Sequence, residues 1–140
     1  MSITPELLAS TKLHEGKRLR AYQDTVGVWT IGYGTNLQEL EIGEELATEW
    51  LYDALRKAEV SAGGYPWFHG LSQPRKEVIV EMIYNLGLTR FDKFAKLKKA
   101  LSESNWPEAS EQMLASVWAE QVGVRALRLA TQMRSGARWQ

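Results

Sequence analysis

Apolar residues recur at helical spacing over most of the chain and at a period of two in one short stretch near its start. Thr4, Pro5 and Glu6 read as a helix start: a capping hydroxyl, a proline at the first helical position and an acid in the first turn. Leu7, Leu8 and Thr11 continue at helical spacing, and Gly16 is the stop. Residues 20–34, RAYQDTVGVWTIGYG, break the pattern. Trp29, Ile31 and Tyr33 alternate with Val28 and Thr30, and Asp24-Thr25-Val26-Gly27 supplies turn residues, so this stretch predicts a β-hairpin. Gly32 and Gly34 bend the strand or let its backbone approach another group closely.

Five more helices are expected. Residues 44–60 place Leu46, Ala47, Trp50, Leu51, Ala54, Leu55 and Ala58 on one face. After the break at Gly63-Gly64-Tyr65-Pro66, Ser72 is read as a cap, and Val78, Ile79, Met82, Ile83 and Leu86 form the strongest stripe, ending at Gly87. This is the expected central buried helix. Asp92 is read as the start of the next, with Phe94, Leu97 and Leu101 inward; Asn105 and Pro107 begin another; the last runs from about Gly123 to Arg134 and stops at Gly136. Trp50, Trp106 and Trp118 are read as core. The expected fold is α+β, mainly α. It is a single domain of 1–140, with a small hairpin lobe over about 17–41 inserted near the start of a helical bundle formed by 1–16 and 42–140.

Composition narrows the function classes. At 140 residues, 44% hydrophobic and 24% charged, the chain is ordinary globular material. It has no cysteine and two histidines, which excludes disulfides, thiolate metal sites and a cysteine nucleophile and leaves almost no material for a serine–histidine triad. Seventeen basic residues balance seventeen acidic ones, so net charge gives no argument for a nucleic-acid partner. Charge is nevertheless uneven: seven acids lie between Glu39 and Glu59, and four arginines, Arg125, Arg128, Arg134 and Arg138, lie after Gln121 with no acid. That last run has two readings, a binding face or a solvated helix side. No apolar stretch approaches the eighteen or so residues of a membrane span, and the start lacks a signal-peptide pattern. The expectation is a soluble protein made in the cytoplasm.

The candidate chemistry sits where the helical pattern gives way to the hairpin. Glu15 ends the first helix on the side of Leu8 and Thr11. Partial desolvation and the negative end of the helix dipole are expected to raise its pKa, as a general acid requires. Asp24 lies at an exposed turn, where a carboxylate stays ionised, and Thr30 follows on the return strand with a hydroxyl able to hold a water. Two carboxyls in contrasting environments across a cleft suit glycoside hydrolysis: one protonates the leaving oxygen, the other stabilises a cationic sugar or activates water.

The run from Glu15 to Gly34, EGKRLRAYQDTVGVWTIGYG, resembles the signature of the phage-type lysozymes, the endolysins of glycoside hydrolase family 24 that include the T-even phage enzymes. Their pattern, E-G-x-x-L-x-x-Y-x-D-x-x-G-x-x-T-I-G-x-G, is met at every fixed position. Tyr84-Asn85-Leu86-Gly87 with Phe91 resembles a second block of that family. Trp118, Arg125-Ala126-Leu127-Arg128 and Arg134-Ser135-Gly136 resemble its closing block. The resemblance implies a lysozyme-like fold and muramidase activity on peptidoglycan. It implies Glu15 as general acid, Asp24 as second carboxylate and Thr30 as the residue fixing the attacking water, with no metal or organic cofactor and an inverted product. It also implies a phage endolysin acting on wall glycan strands; with no signal pattern or membrane span, a holin-type membrane pore or release on cell death is expected to give access, and a monomer is expected. A lytic transglycosylase, which needs only the glutamate, and a catalytically inactive wall-binding module are the competing readings.

This chain departs from the family pattern in places. Thr35 stands where histidine is frequent, only Thr35–Glu41 separate Gly34 from the next helix, and Phe94-Ala95 replaces a Ser-Thr pair able to meet substrate. The chain is neutral where many such enzymes are basic. Three further residues are candidates for substrate contact, each with a second reading: Tyr84 as cleft wall or core, Asn85 as sugar ligand or cap of a neighbouring backbone group, and Arg125 as partner of Glu15 or surface cation. Trp29 and Tyr33 stack on sugar or pack on their own lobe. His14 is read as exposed, and His69 as a loop residue with no visible partner.

Overall fold

The computed structural model describes residues 2–140. The chain divides into two compact units, one up to Leu46 and one from Ala47 onward.

The first unit combines a helix and a sheet. Helix α1 (Pro5–Glu15) starts as its sequence dictates: Thr4 Oγ1 accepts the Leu7 N–H at 3.1 Å. It ends at Gly16, whose N–H closes on the Lys12 carbonyl at 3.0 Å. The chain then enters an antiparallel sheet in the order β1 (Arg18–Gln23), β2 (Trp29–Gly32), β3 (Thr35–Asn36). Tyr22 pairs with Thr30, and Thr30 pairs with Asn36. The first turn is the expected one, closed by the Gly27 N–H on the Asp24 carbonyl at 3.1 Å. The two-residue strand β3 goes beyond the expected hairpin; a run that short carries no alternation to read. Alternation holds along β2, and its buried side is that of Thr30, 5% exposed, while Trp29 is 49% exposed.

In the second unit the core gathers on α3 (Gln73–Leu86), whose expected stripe of Val78, Ile79, Met82, Ile83 and Leu86 is buried. Around it lie α5 (Ala95–Ser102), α6 (Trp106–Leu114) and α8 (Val124–Ser135), which contribute Leu97, Leu101, Ala109, Met113, Leu129 and Met133. Helix α2 (Glu44–Ala62) spans the division between units and of its expected stripe buries only Ala58, joined by Ala62 beyond that stripe; Trp50 is 53% exposed, not core. Trp118 is buried as expected, whereas Trp106 is half-buried beneath the Arg75 guanidinium, 4.1 Å from its ring centre.

Three short elements escape the periodicity: a 3₁₀ turn at Pro66–Gly70, α4 (Leu88–Asp92) and α7 (Val117–Val122). Asp92 ends α4 and starts no helix, because tertiary partners claim its carboxylate: Tyr65 Oη donates to Oδ1 at 2.6 Å and Lys98 Nζ at 2.9 Å. Burial, aided by that carboxylate, pushes the Tyr65 phenol up to about 12. Ser72 occupies the N-cap position of α3 without a side-chain cap bond. His69 lies in the 3₁₀ turn and has a partner, the Gly63 carbonyl at 2.8 Å from Nε2.

Polar tethers lock α3 to α8 and the tail. Arg75 donates from Nε to the Met133 carbonyl at 2.7 Å and from Nη2 to the Arg134 carbonyl at 3.0 Å, satisfying acceptors that a helix C-terminus leaves open. Gly136 has φ +75°, and a Cβ there would meet Arg75 Nη1 at 3.0 Å. Gln132 donates to the Pro74 carbonyl and accepts the Trp139 N–H, and Ser110 donates to the Ala130 carbonyl. Arg138 grips Glu77 with two bonds of 2.9 and 2.6 Å.

Replacing Arg75 with alanine is expected to destabilise the protein by about 2 kcal/mol in urea unfolding, since two charge-assisted bonds to carbonyls are lost. Lysine will not restore it, because a single ammonium lacks the fork. A second expectation concerns pH. The hydrogen bond from Arg138 holds the Glu77 carboxyl below its usual range. Its contribution is therefore present above the ordinary glutamate pKa and is lost as pH falls through the lowered value in the folded protein. Thermal melts between pH 2.5 and 6 should show a smaller fall in Tm with acid for Glu77→Gln than for the parent.

Candidate active site

Glu15, Asp24 and Thr30 all lie in the first unit, and local backbone geometry positions each. Glu15 is the last residue of α1, and Gly16 turns the chain directly into β1. The expected desolvation of Glu15 by an apolar helix face is not found: α1 buries none of its residues, and Glu15 is exposed. Its carboxylate lies instead against the backbone of Gly34, where a Cβ would stand 3.1 Å from Oε2. Gly34 has φ +88°, a conformation that also favours glycine. The close approach expected for the hairpin glycines is thus made at Gly34, and the approaching group is the candidate acid.

Asp24 opens the β1–β2 turn. Its Oδ1 accepts the N–H groups of Val26 at 2.9 Å and Val28 at 2.8 Å, so the turn's own amides hold Oδ1 and leave Oδ2 as the acceptor for another group. Thr30 is buried, and its hydroxyl donates to the Val28 carbonyl at 2.9 Å. With its proton so committed, Oγ1 meets any further polar group as an acceptor. Tyr22, the cross-strand partner of Thr30, lies two residues before Asp24, so the turn carboxylate and the Thr30 hydroxyl sit within one short hairpin.

The three other candidates belong to the second unit. Tyr84 is 44% exposed and is not part of the core. Asn85 caps no backbone group: its Oδ1 accepts the indole N–H of Trp118 at 2.7 Å, joining α3 to α7. Arg125 donates from Nε to Glu81 Oε2 at 2.9 Å. That pairing was not legible, since a 44-residue separation carries no periodic signal. The arginine-rich end is not a bare cationic face either: Arg125 holds Glu81, Arg138 holds Glu77, and Arg128 lies 4.5 Å from the Trp139 ring centre. His14 is exposed, as expected. Among the described residues, no three His, Asp or Glu side chains group as a metal site requires, and no helix is long and apolar enough to cross a membrane.

Comparison with known proteins bears on what this geometry serves. Residues 12–134 match the family model for phage lysozyme, a span that contains Glu15, Asp24, Thr30, Gly34, Tyr84, Asn85 and Arg125. The endolysin of Acyrthosiphon pisum secondary endosymbiont phage 1 is 33% identical over 117 residues, covering 81% of this chain and 79% of that protein. Two probable T4-type lysozymes of Dictyostelium discoideum, numbered 2 and 1, are 26% and 25% identical, each over 89% of this chain and 91% of the relative. The chain belongs to the phage lysozyme family, a family of glycosidase-type hydrolases.

Proposed function

We propose that the chain is a muramidase. It hydrolyses the β-1,4 bond between N-acetylmuramic acid and N-acetylglucosamine in peptidoglycan, as a phage endolysin that reaches the wall through a holin-type pore. The observation that carries this reading is the seating of the Glu15 carboxylate on Gly34 in the unit that also holds Asp24 and Thr30. The seat holds the carboxylate close to the hairpin, as suits an acid that must meet a glycosidic oxygen in one orientation.

In this mechanism Glu15 donates its proton to the leaving oxygen as the glycosidic bond breaks. A water donates one hydrogen to Thr30 Oγ1 and the other to Asp24 Oδ2, which turns a lone pair toward the anomeric carbon. As the new C–O bond forms, that water gives a proton to Asp24. The hydroxyl's own bond to Val28 makes Thr30 an acceptor, and the two turn amides on Oδ1 leave Oδ2 to the water. A nucleophilic Asp24 would need no Thr30, so a single displacement with inversion is the reading adopted. The protein acts as a monomer on glycan strands and draws on no cofactor.

Glu15→Gln should lower wall lysis by at least about 100-fold in a turbidity assay, with no loss in Tm. Gly34→Ala should lower kcat by about ten-fold or more, because the added Cβ displaces the acid. Retention of full activity by Gly34→Ala would remove the significance of the seat.

Asp24→Asn should likewise stop hydrolysis, and proton NMR of fresh products of the parent protein should show the α-anomer first. Anhydro-muramic ends detected by mass spectrometry, with activity surviving in Asp24→Asn, would establish a transglycosylase instead. Absence of any cleavage by the parent protein would indicate an inactive wall-binding module.

A further inference from the structure

The nine residues from Lys12 to Arg20 carry four cations, Lys12, Lys17, Arg18 and Arg20, against the single carboxylate of Glu15. In a chain of zero formal charge this is a local excess, and it surrounds the candidate acid. Two of the four are held in place by aromatic rings. Lys12 Nζ lies 5.6 Å from the ring centre of Tyr33, and Arg18 Cζ lies 4.6 Å from that of Tyr22. Among the described residues neither cation makes an ion pair; the three ion pairs found lie at Lys98–Asp92, Arg125–Glu81 and Arg138–Glu77.

The two rings are not placed at random. Tyr33 precedes Gly34, the seat of the Glu15 carboxylate, and Tyr22 is the cross-strand partner of Thr30. Each cation therefore rests on a ring whose residue adjoins, along the chain or across the sheet, one of the residues of the proposed site. A ring restrains the side chain without neutralising it. The charge stays available to a ligand, and less freedom is lost when an anion arrives. A carboxylate partner would have cancelled the charge.

Resting on the muramidase reading, we propose that Lys12 and Arg18 select the substrate by charge. They bind carboxylates of the acidic wall glycan, carried by the stem peptides of alternate sugars or by the lactyl group where no peptide is attached, and so favour it over an uncharged β-1,4 glycan with the same backbone. The ammonium serves as a mobile point charge and the guanidinium as a planar fork able to take both carboxylate oxygens.

The test measures binding of full-length protein carrying Glu15→Gln to insoluble peptidoglycan and to chitin beads, at low and at moderate salt. Lys12→Gln, Arg18→Gln and their combination are compared with Lys57→Gln, which removes one positive charge from α2. The expected result is an affinity for peptidoglycan about three-fold weaker for each substitution and about ten-fold weaker for both, a flatter salt dependence, and a change on chitin below two-fold. Lys12→Arg should restore most of the loss. Equal losses on both polymers, an equal loss in Lys57→Gln, or undiminished binding to peptidoglycan in the double variant would each overturn the proposal. Failure of the catalytic reading is distinguishable. If the parent protein cleaves nothing while charge-dependent binding persists, the muramidase mechanism falls and the anion-selecting role stands.

Discussion

The candidate site depends on one close approach, that of the Glu15 carboxylate to the backbone of Gly34. The approach constrains everything around it. Helix α1 must end at Glu15 so that the carboxylate projects from its last turn, and Gly16 must turn the chain at once into β1. The sheet must then bring the segment after β2 back to the helix end, which it does through a tight turn anchored by Asp24. Gly34 at φ +88° lets the chain bend between β2 and β3 and offers a surface with no side chain. The two proposed catalytic carboxylates thus share one short stretch of chain, one held by the glycine seat and the other by the turn amides.

The second unit is built on a different principle. Its stability comes from a buried stripe on α3, and its alignment comes from side chains that satisfy backbone carbonyls at helix ends. Arg75 is the clearest case, closing the C-terminus of α8 while its guanidinium covers Trp106. This gives Arg134-Ser135-Gly136 a structural meaning: the glycine adopts the left-handed cap, and its missing side chain leaves room for Arg75. Asn85, from the second recognisable block of sequence, and Trp118, from the closing one, prove to be one hydrogen-bonded pair. Motifs far apart in the chain are thus two halves of single contacts.

Charge is used differently in the two units. In the second, acidic partners take up two of the four arginines after Gln121, Arg125 and Arg138, and these stitch helices and tail together. In the first, cations rest on tyrosine rings and keep their charge. A chain with no net charge can therefore still present a positive field where its proposed chemistry occurs, because the field depends on local placement and only weakly on the total.

The sequence by itself determined the helix starts at Thr4 and Asn105, the turn at Asp24–Gly27 and the buried stripe of α3. These are local matters, set by capping groups, turn residues and periodicity within a few neighbours. Its resemblance to the phage lysozyme signature also pointed to Glu15, Asp24 and Thr30 as candidates, because a compact motif stays readable in one dimension. Only the tertiary structure decided what each side chain touches. Glu15 is exposed and seated on Gly34 where an apolar cover was expected; Asp92 binds Tyr65 and Lys98 and starts no helix; Arg125 holds Glu81; Trp50 is exposed. Each of these depends on groups brought together by packing from distant positions, and no periodicity along the chain encodes such a meeting.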